Sequence, residues 1–209
     1  ADAAPGKQVN PQWAPAGEAI YFISDRDGVS NVYRAELASG DKLWWYQACA
    51  SHGCYMVGGD YFRGWPSYVI DASGAANRMM QWMSWKYGIS GELYFNINEA
   101  YAEKGDAWKN MFAFGGNGDG TLVYPGTPEK IGGDTHIPIE SIRLKLIREG
   151  LEDYEYLTLL TDAAGPRATA KFVDGLVVNG YTFEQDPLKL YETRRRIAEE
   201  IMRLKRRDE

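Results

Sequence analysis

The side chains best suited to chemistry collect at the end of one apolar run, Leu93-Tyr94-Phe95-Asn96-Ile97-Asn98, which closes on Glu99. Alternation along an extended chain sends Tyr94, Asn96 and Asn98 to one side and Leu93, Phe95, Ile97 and Glu99 to the other. The two amides then share a face. Amide groups donate and accept at once, which matches sugar hydroxyls and an acetamido group without demanding charge. The same amides could instead bond loop backbone and hold the rim of a site. Glu99 follows the run directly, where a proton donor would stand, although a lone carboxylate in that position also serves as an ordinary loop hydrogen-bonder. Glu99 is the one catalytic candidate, and the remaining catalytic residues are unassigned.

Tyr46 and Gln47 occupy the end of an earlier apolar run, Leu43 to Cys49, and Tyr124 precedes Pro125-Gly126. With Tyr94, Asn96 and Asn98 they make up the candidate substrate-binding set. The segment Phe114-Gly115-Gly116-Asn117-Gly118-Asp119-Gly120 is glycine-rich, yet it lacks the Lys and Ser/Thr of a phosphate loop and no long helix follows it. Asp119 could orient a hydroxyl or close an Asx turn. Zinc wants about four ligands, and the chain offers only Cys49, Cys54 and two histidines, His52 and His136. Reduced, partly buried thiols or a strained local disulfide account for the cysteines as well, so no metal and no cofactor is expected.

Composition points the same way. The 209 residues include 7 Trp and 14 Tyr, rings that join a flat apolar face to a polar edge as sugars do. A net charge of -6 offers no broad cationic surface, so nucleic acid is not an expected partner. No apolar run reaches the roughly 18 residues that cross a bilayer. The opening Ala1-Asp2-Ala3-Ala4 fits a mature terminus or an arbitrary boundary equally well, and a secreted or periplasmic location is the expectation.

Strands must position these groups. Ile20–Ser24 and Val32–Leu37 flank the turn residues Asp25-Arg26-Asp27-Gly28 and predict a hairpin. Strands are expected over 43–49, 91–98 and 121–124, and a strand or extended piece over 67–70. A helix is expected from Gly74 to Tyr87, capped by Asp71 or Ser73 and closed by Gly88. Strand, helix, strand is the grammar of a parallel α/β sheet or barrel, whose sites lie after the strands. Helical spacing of Ile139, Ile142, Leu146, Ile147, Leu151, Tyr154 and Leu157 predicts a packing helix over 138–161, with the acids Glu152, Asp153 and Glu155 on its solvated face. A last charged helix, Pro187 to Arg206, docks through Leu188, Tyr191, Ile197, Ile201 and Leu204.

Two resemblances follow. Asn10-Pro11-Gln12-Trp13-Ala14-Pro15-Ala16-Gly17, Ser24-Asp25-Arg26-Asp27-Gly28 and Asn31-Val32-Tyr33 resemble one repeat of a TolB-like β-propeller. Trp45-Tyr46-Gln47-Ala48-Cys49, Tyr68-Val69-Ile70-Asp71, the whole run Asn77 to Asn98, Gly118 to Gly126 and Ile139 to Leu157 resemble, in order, the C-terminal part of the catalytic barrel of glycoside hydrolase family 123. The implied organisation is a propeller-repeat hairpin over 1–40 and a partial TIM-type (β/α) barrel over 41–209. The implied activity is removal of N-acetylgalactosamine, with the sugar's own acetamido oxygen as nucleophile and an adjacent Asp-Glu pair assisting. The only Asp-Glu dipeptide here is Asp208-Glu209 in the charged tail, so that pair is not carried over.

Two functions compete on this reading. One is a piece of an N-acetyl-hexosaminidase, acting on a glycan that contains N-acetylgalactosamine once the barrel is completed. The other is a non-catalytic carbohydrate-binding or structural module of an extracellular assembly. Either way, open sheet edges call for self-association or a partner chain.

Overall fold

The computed structural model describes residues 8–13, 19–24, 31–36, 42–47, 64–94, 96–99, 106–113 and 116–206. They fall into two units, Ala1–Lys42 and Leu43–Glu209. The readings placed on Cys49, His52, Cys54 and the Asp208-Glu209 dipeptide lie outside the described residues.

The first unit is an antiparallel meander of β1 (Gln8–Trp13), β2 (Ala19–Ser24) and β3 (Asn31–Glu36). The expected hairpin is its second half, in unbroken register from Ala19↔Glu36 to Ser24↔Asn31. β1 was not foreseen as a strand. Its register shifts between Val9 and Gln12, around Pro11, which has no N–H to give to a ladder.

The second unit begins with β4 (Leu43–Gln47), which pairs in parallel with β5 (Ile89–Tyr94) across helix α1 (Gly74–Lys86). Ser73 caps α1, accepting from the Ala76 amide at 3.1 Å, and Gly88 ends it at φ 64, a left-handed position that glycine tolerates best. Ala75 through Ser84 are all buried, which makes α1 a central helix rather than an amphipathic surface one. The strand or extended piece expected over 67–70 is a series of bends outside any sheet, because the local polar groups are bonded elsewhere. Ser67 Oγ accepts from Val69 N, and the Tyr68 carbonyl accepts from Arg143.

The strands that follow pair antiparallel: β6 (Phe112–Ala113) with β7 (Gly116–Asn117), then β8 (Val123–Gly126) with β9 (Ile137–Glu140). The short helix α2 (Pro128–Ile131) lies between β8 and β9. The long helix α3 runs Ile142–Ala164 and starts at Ser141, which accepts from Leu144 N. The start expected at Pro138 is thus strand β9. Helix α4 (Pro166–Val173), the hairpin of β10 (Val177–Asn179) and β11 (Thr182–Phe183), and helix α5 (Pro187–Lys205) complete the unit.

Mixed α/β architecture is what the sequence implied. Among the described residues its parallel part is the single β4–α1–β5 unit. The main core joins Trp82 and Met83 of α1 to Leu157 and Leu160 of α3 and to Leu190 and Ile197 of α5. Gly150 of α3 makes this possible, since a Cβ there would stand 2.2 Å from Gln81 Oε1 and 2.9 Å from the Arg78 carbonyl.

Two helix faces depart from expectation. On α3 the expected apolar stripe is partly outside, with Ile142 72% and Leu151 54% exposed, while Arg143, Gly150 and Asp153 are buried. Asp153 does not lie on a solvated face. It receives two hydrogen bonds from Arg78 and one from Trp82 Nε1 at 2.9 Å. On α5, Leu188 and Tyr191 are exposed and Leu190 is buried in their place, one residue around the helix. Tyr191 is used differently, its ring lying 4.5 Å beneath the Arg78 guanidinium.

Candidate functional site

Strand β5 ends at Tyr94, and Asn96 to Glu99 form a turn that folds onto the Gly118–Thr121 turn. Three main-chain hydrogen bonds tie it there, Glu99 N to Gly120 O and both Leu122 N and Val123 N to Ile97 O, the first two of which make the antiparallel bridge between Asn98 and Thr121. The expected alternation fails here for a local reason. Asn96 Oδ1 accepts from the amides of Ile97 (2.7 Å) and Asn98 (3.2 Å), while its Nδ2 donates to Glu99 Oε2 at 2.5 Å. An Asx turn therefore brings Asn96 and Glu99 together, instead of setting them on opposite faces.

Glu99 is 6% exposed and Asp119 2%. Tyr94 reaches the same turn from the strand. Its hydroxyl accepts from Gly120 N at 2.8 Å and donates to Asp119 Oδ1 at 3.4 Å, and its ring meets Tyr68 edge-on. Burial, then the Asp119 charge, push the Tyr94 hydroxyl well above its ordinary pKa, so it stays a neutral donor.

The neighbouring turn is held by a residue that sequence reasoning passed over. Arg143, 4% exposed, donates to the Tyr68 and Gly118 carbonyls at 2.7 Å each and also to Thr121 O. Gly118 (φ 80) lies against it, where a Cβ would be 2.9 Å from Arg143 Nη1. One signal for Arg143 was available, since it falls on the same helical stripe as Gly150, Asp153 and Leu157.

The other predicted residues scatter. Tyr46, 48% exposed, shares with Trp44 and Leu93 the face of β4–β5 turned away from Tyr94. On that face the Trp44 indole occupies the space beside Gly91 that a Cβ would fill. Gln47 ends β4 in register with Tyr94. Tyr124, in β8, stands against Trp108 with ring centres 4.9 Å apart. His136 is exposed, and the described residues contain no group of side chains able to hold a metal ion.

The candidate site is thus the end of a parallel strand pair, lined by hydrogen-bonding groups and aromatic rings. Residues 19–160 match the family described as Glycoside hydrolase 123, catalytic domain, and the chain belongs to that family. The match begins at Ala19 and so takes in β2 and β3, the strands of the hairpin likened above to a propeller repeat. No curated protein matches the chain.

No helix among the described residues is long and apolar enough to cross a membrane.

Proposed function

We propose that this domain binds a glycan containing N-acetylhexosamine, N-acetylgalactosamine by family resemblance, and supplies the sugar-contacting wall of a hexosaminidase-type site rather than its acid pair. The observation that carries this reading is the turn after β5, where the links from Glu99 N to Gly120 O and from Leu122 N to Ile97 O set the half-buried Asn98 amide at the C-terminal end of the parallel strand pair. Family membership supports a carbohydrate substrate.

Binding without catalysis is favoured by one specific feature. The Glu99 carboxylate is buried and held by Asn96, and a general acid must reach its substrate to within hydrogen-bond distance. The exposure of Trp44 and Leu93 on one face of β4–β5 supports an added layer, from a second copy or a partner chain, completing the site.

The test is hydrolysis of an aryl N-acetyl-β-galactosaminide by the 209-residue chain, beside calorimetric titration with free N-acetylgalactosamine. Binding without turnover is the expected result. Turnover abolished by Glu99→Gln would make Glu99 the acid and overturn the division of labour, and absence of both signals would leave a structural module.

A further inference from the structure

Trp108 combines openness with restraint. It is 41% exposed, yet its indole N–H donates to Pro125 O at 2.9 Å, its backbone N–H donates to Asp106 Oδ1 at 3.0 Å, and its ring rests against Tyr124 at 39°. These contacts fix the ring's orientation before any ligand arrives, which removes an ordering cost that a mobile exposed ring would carry. Because the N–H is already satisfied, what remains free is an apolar face.

The polar rim is built as well. Asp106 Oδ2 lies 3.2 Å from Lys130 Nζ and 3.6 Å from Lys109 Nζ, and all three side chains are at least 31% exposed. A carboxylate held between two ammonium groups presents acceptors and donors side by side, the arrangement that adjacent hydroxyls of a sugar ring satisfy.

We propose that Trp108, backed by Tyr124 and edged by Asp106 and Lys130, is a second sugar subsite that takes one pyranose unit with its C–H face on the indole. The inference rests on the carbohydrate reading above and extends it from one sugar to a chain of at least two. Continuity supports this, because Val123, next to Tyr124, donates to Ile97 O in the turn that carries Asn98.

Calorimetry on the full chain decides it, with methyl N-acetyl-β-galactosaminide and a disaccharide extending that sugar by one galactose as probes. The disaccharide should bind about tenfold more tightly than the monosaccharide. Trp108→Ala should remove that gain and leave monosaccharide affinity unchanged, whereas Trp108→Phe should keep part of it. Asn98→Ala should weaken both probes. A gain that survives Trp108→Ala, or no gain in the unaltered chain, overturns the subsite while the strand-end reading stands. Failure of both probes to bind overturns the subsite together with that reading. N-bromosuccinimide oxidation of the unaltered chain, mapped by peptide mass, does not depend on any variant folding. The disaccharide should shield Trp108 while the monosaccharide does not, and equal oxidation with and without disaccharide overturns the proposal.

Discussion

Arg78 and Asp153 grip each other across the α1–α3 interface through two hydrogen bonds, with side chains 3% and 0% exposed. Trp82 Nε1 adds a third bond, and Arg194 Nε stands 3.6 Å from the same carboxylate. Buried ion pairs add little over a well-packed apolar replacement, but removing one partner strands the other. Asp153→Leu alone should therefore cost about 3–5 kcal/mol, and the double change Arg78→Met with Asp153→Leu should cost much less than the two single changes added together. Urea denaturation of the four proteins reads this directly; additive losses would mean that the pair is not coupled.

Gly150 sets the spacing of the same two helices. With a Cβ at 2.2 Å from Gln81 Oε1 and 2.9 Å from main chain, Gly150→Ala forces α1 and α3 apart and should destabilise by about 1–3 kcal/mol, although alanine is the better helix former. A lowered midpoint in thermal unfolding is expected. A raised one would show that the helices already stand farther apart.

Tyr94 gives an alkaline signature. Its hydroxyl is raised above 10.0, first by burial and then by Asp119. The folded-state value exceeds the unfolded one, so its contribution to stability is complete below pH 10 and is lost as pH rises through the folded value. Tyr94→Phe should flatten the decline in stability above about pH 10. Part of the slope should persist, because burial also raises Tyr87. Denaturant midpoints at a series of alkaline pH values make the comparison, and identical slopes in the two proteins would show that Tyr94 ionises freely.

Asn96 separates a structural from a ligand-binding role. Asn96→Ala strips the Asx turn of its acceptor and leaves the buried Glu99 carboxylate without its amide donor. A loss of about 1–3 kcal/mol is expected for such unmet groups. Adding Glu99→Leu to Asn96→Ala should recover part of it. Unchanged stability together with lost sugar binding would assign the amide to the ligand instead.

The local elements were legible in the residues themselves. The β2–β3 hairpin, the strand–helix–strand order of β4, α1 and β5, the Ser73 cap and Gly88 stop of α1, and the span of α5 all follow from turn residues, caps and periodicity. Those signals act within a few residues of chain, so no distant partner is needed to interpret them. Ordered family motifs were also enough to place the chain in its family.

Only the tertiary structure decided which polar residues lie inside. Leu151 and Ile142 were expected in the core and are exposed, while Arg143 and Asp153 are buried because Tyr68, Gly118 and Thr121 carbonyls await one and Arg78 and Trp82 await the other. A buried charge is tolerable only with its partners in place, and those partners lie 22 to 75 residues away along the chain. The same reason separates Asn96 from Asn98. Composition gave both an amide, but the turn after Tyr94, pinned against Gly118–Thr121, commits Asn96 to its own backbone.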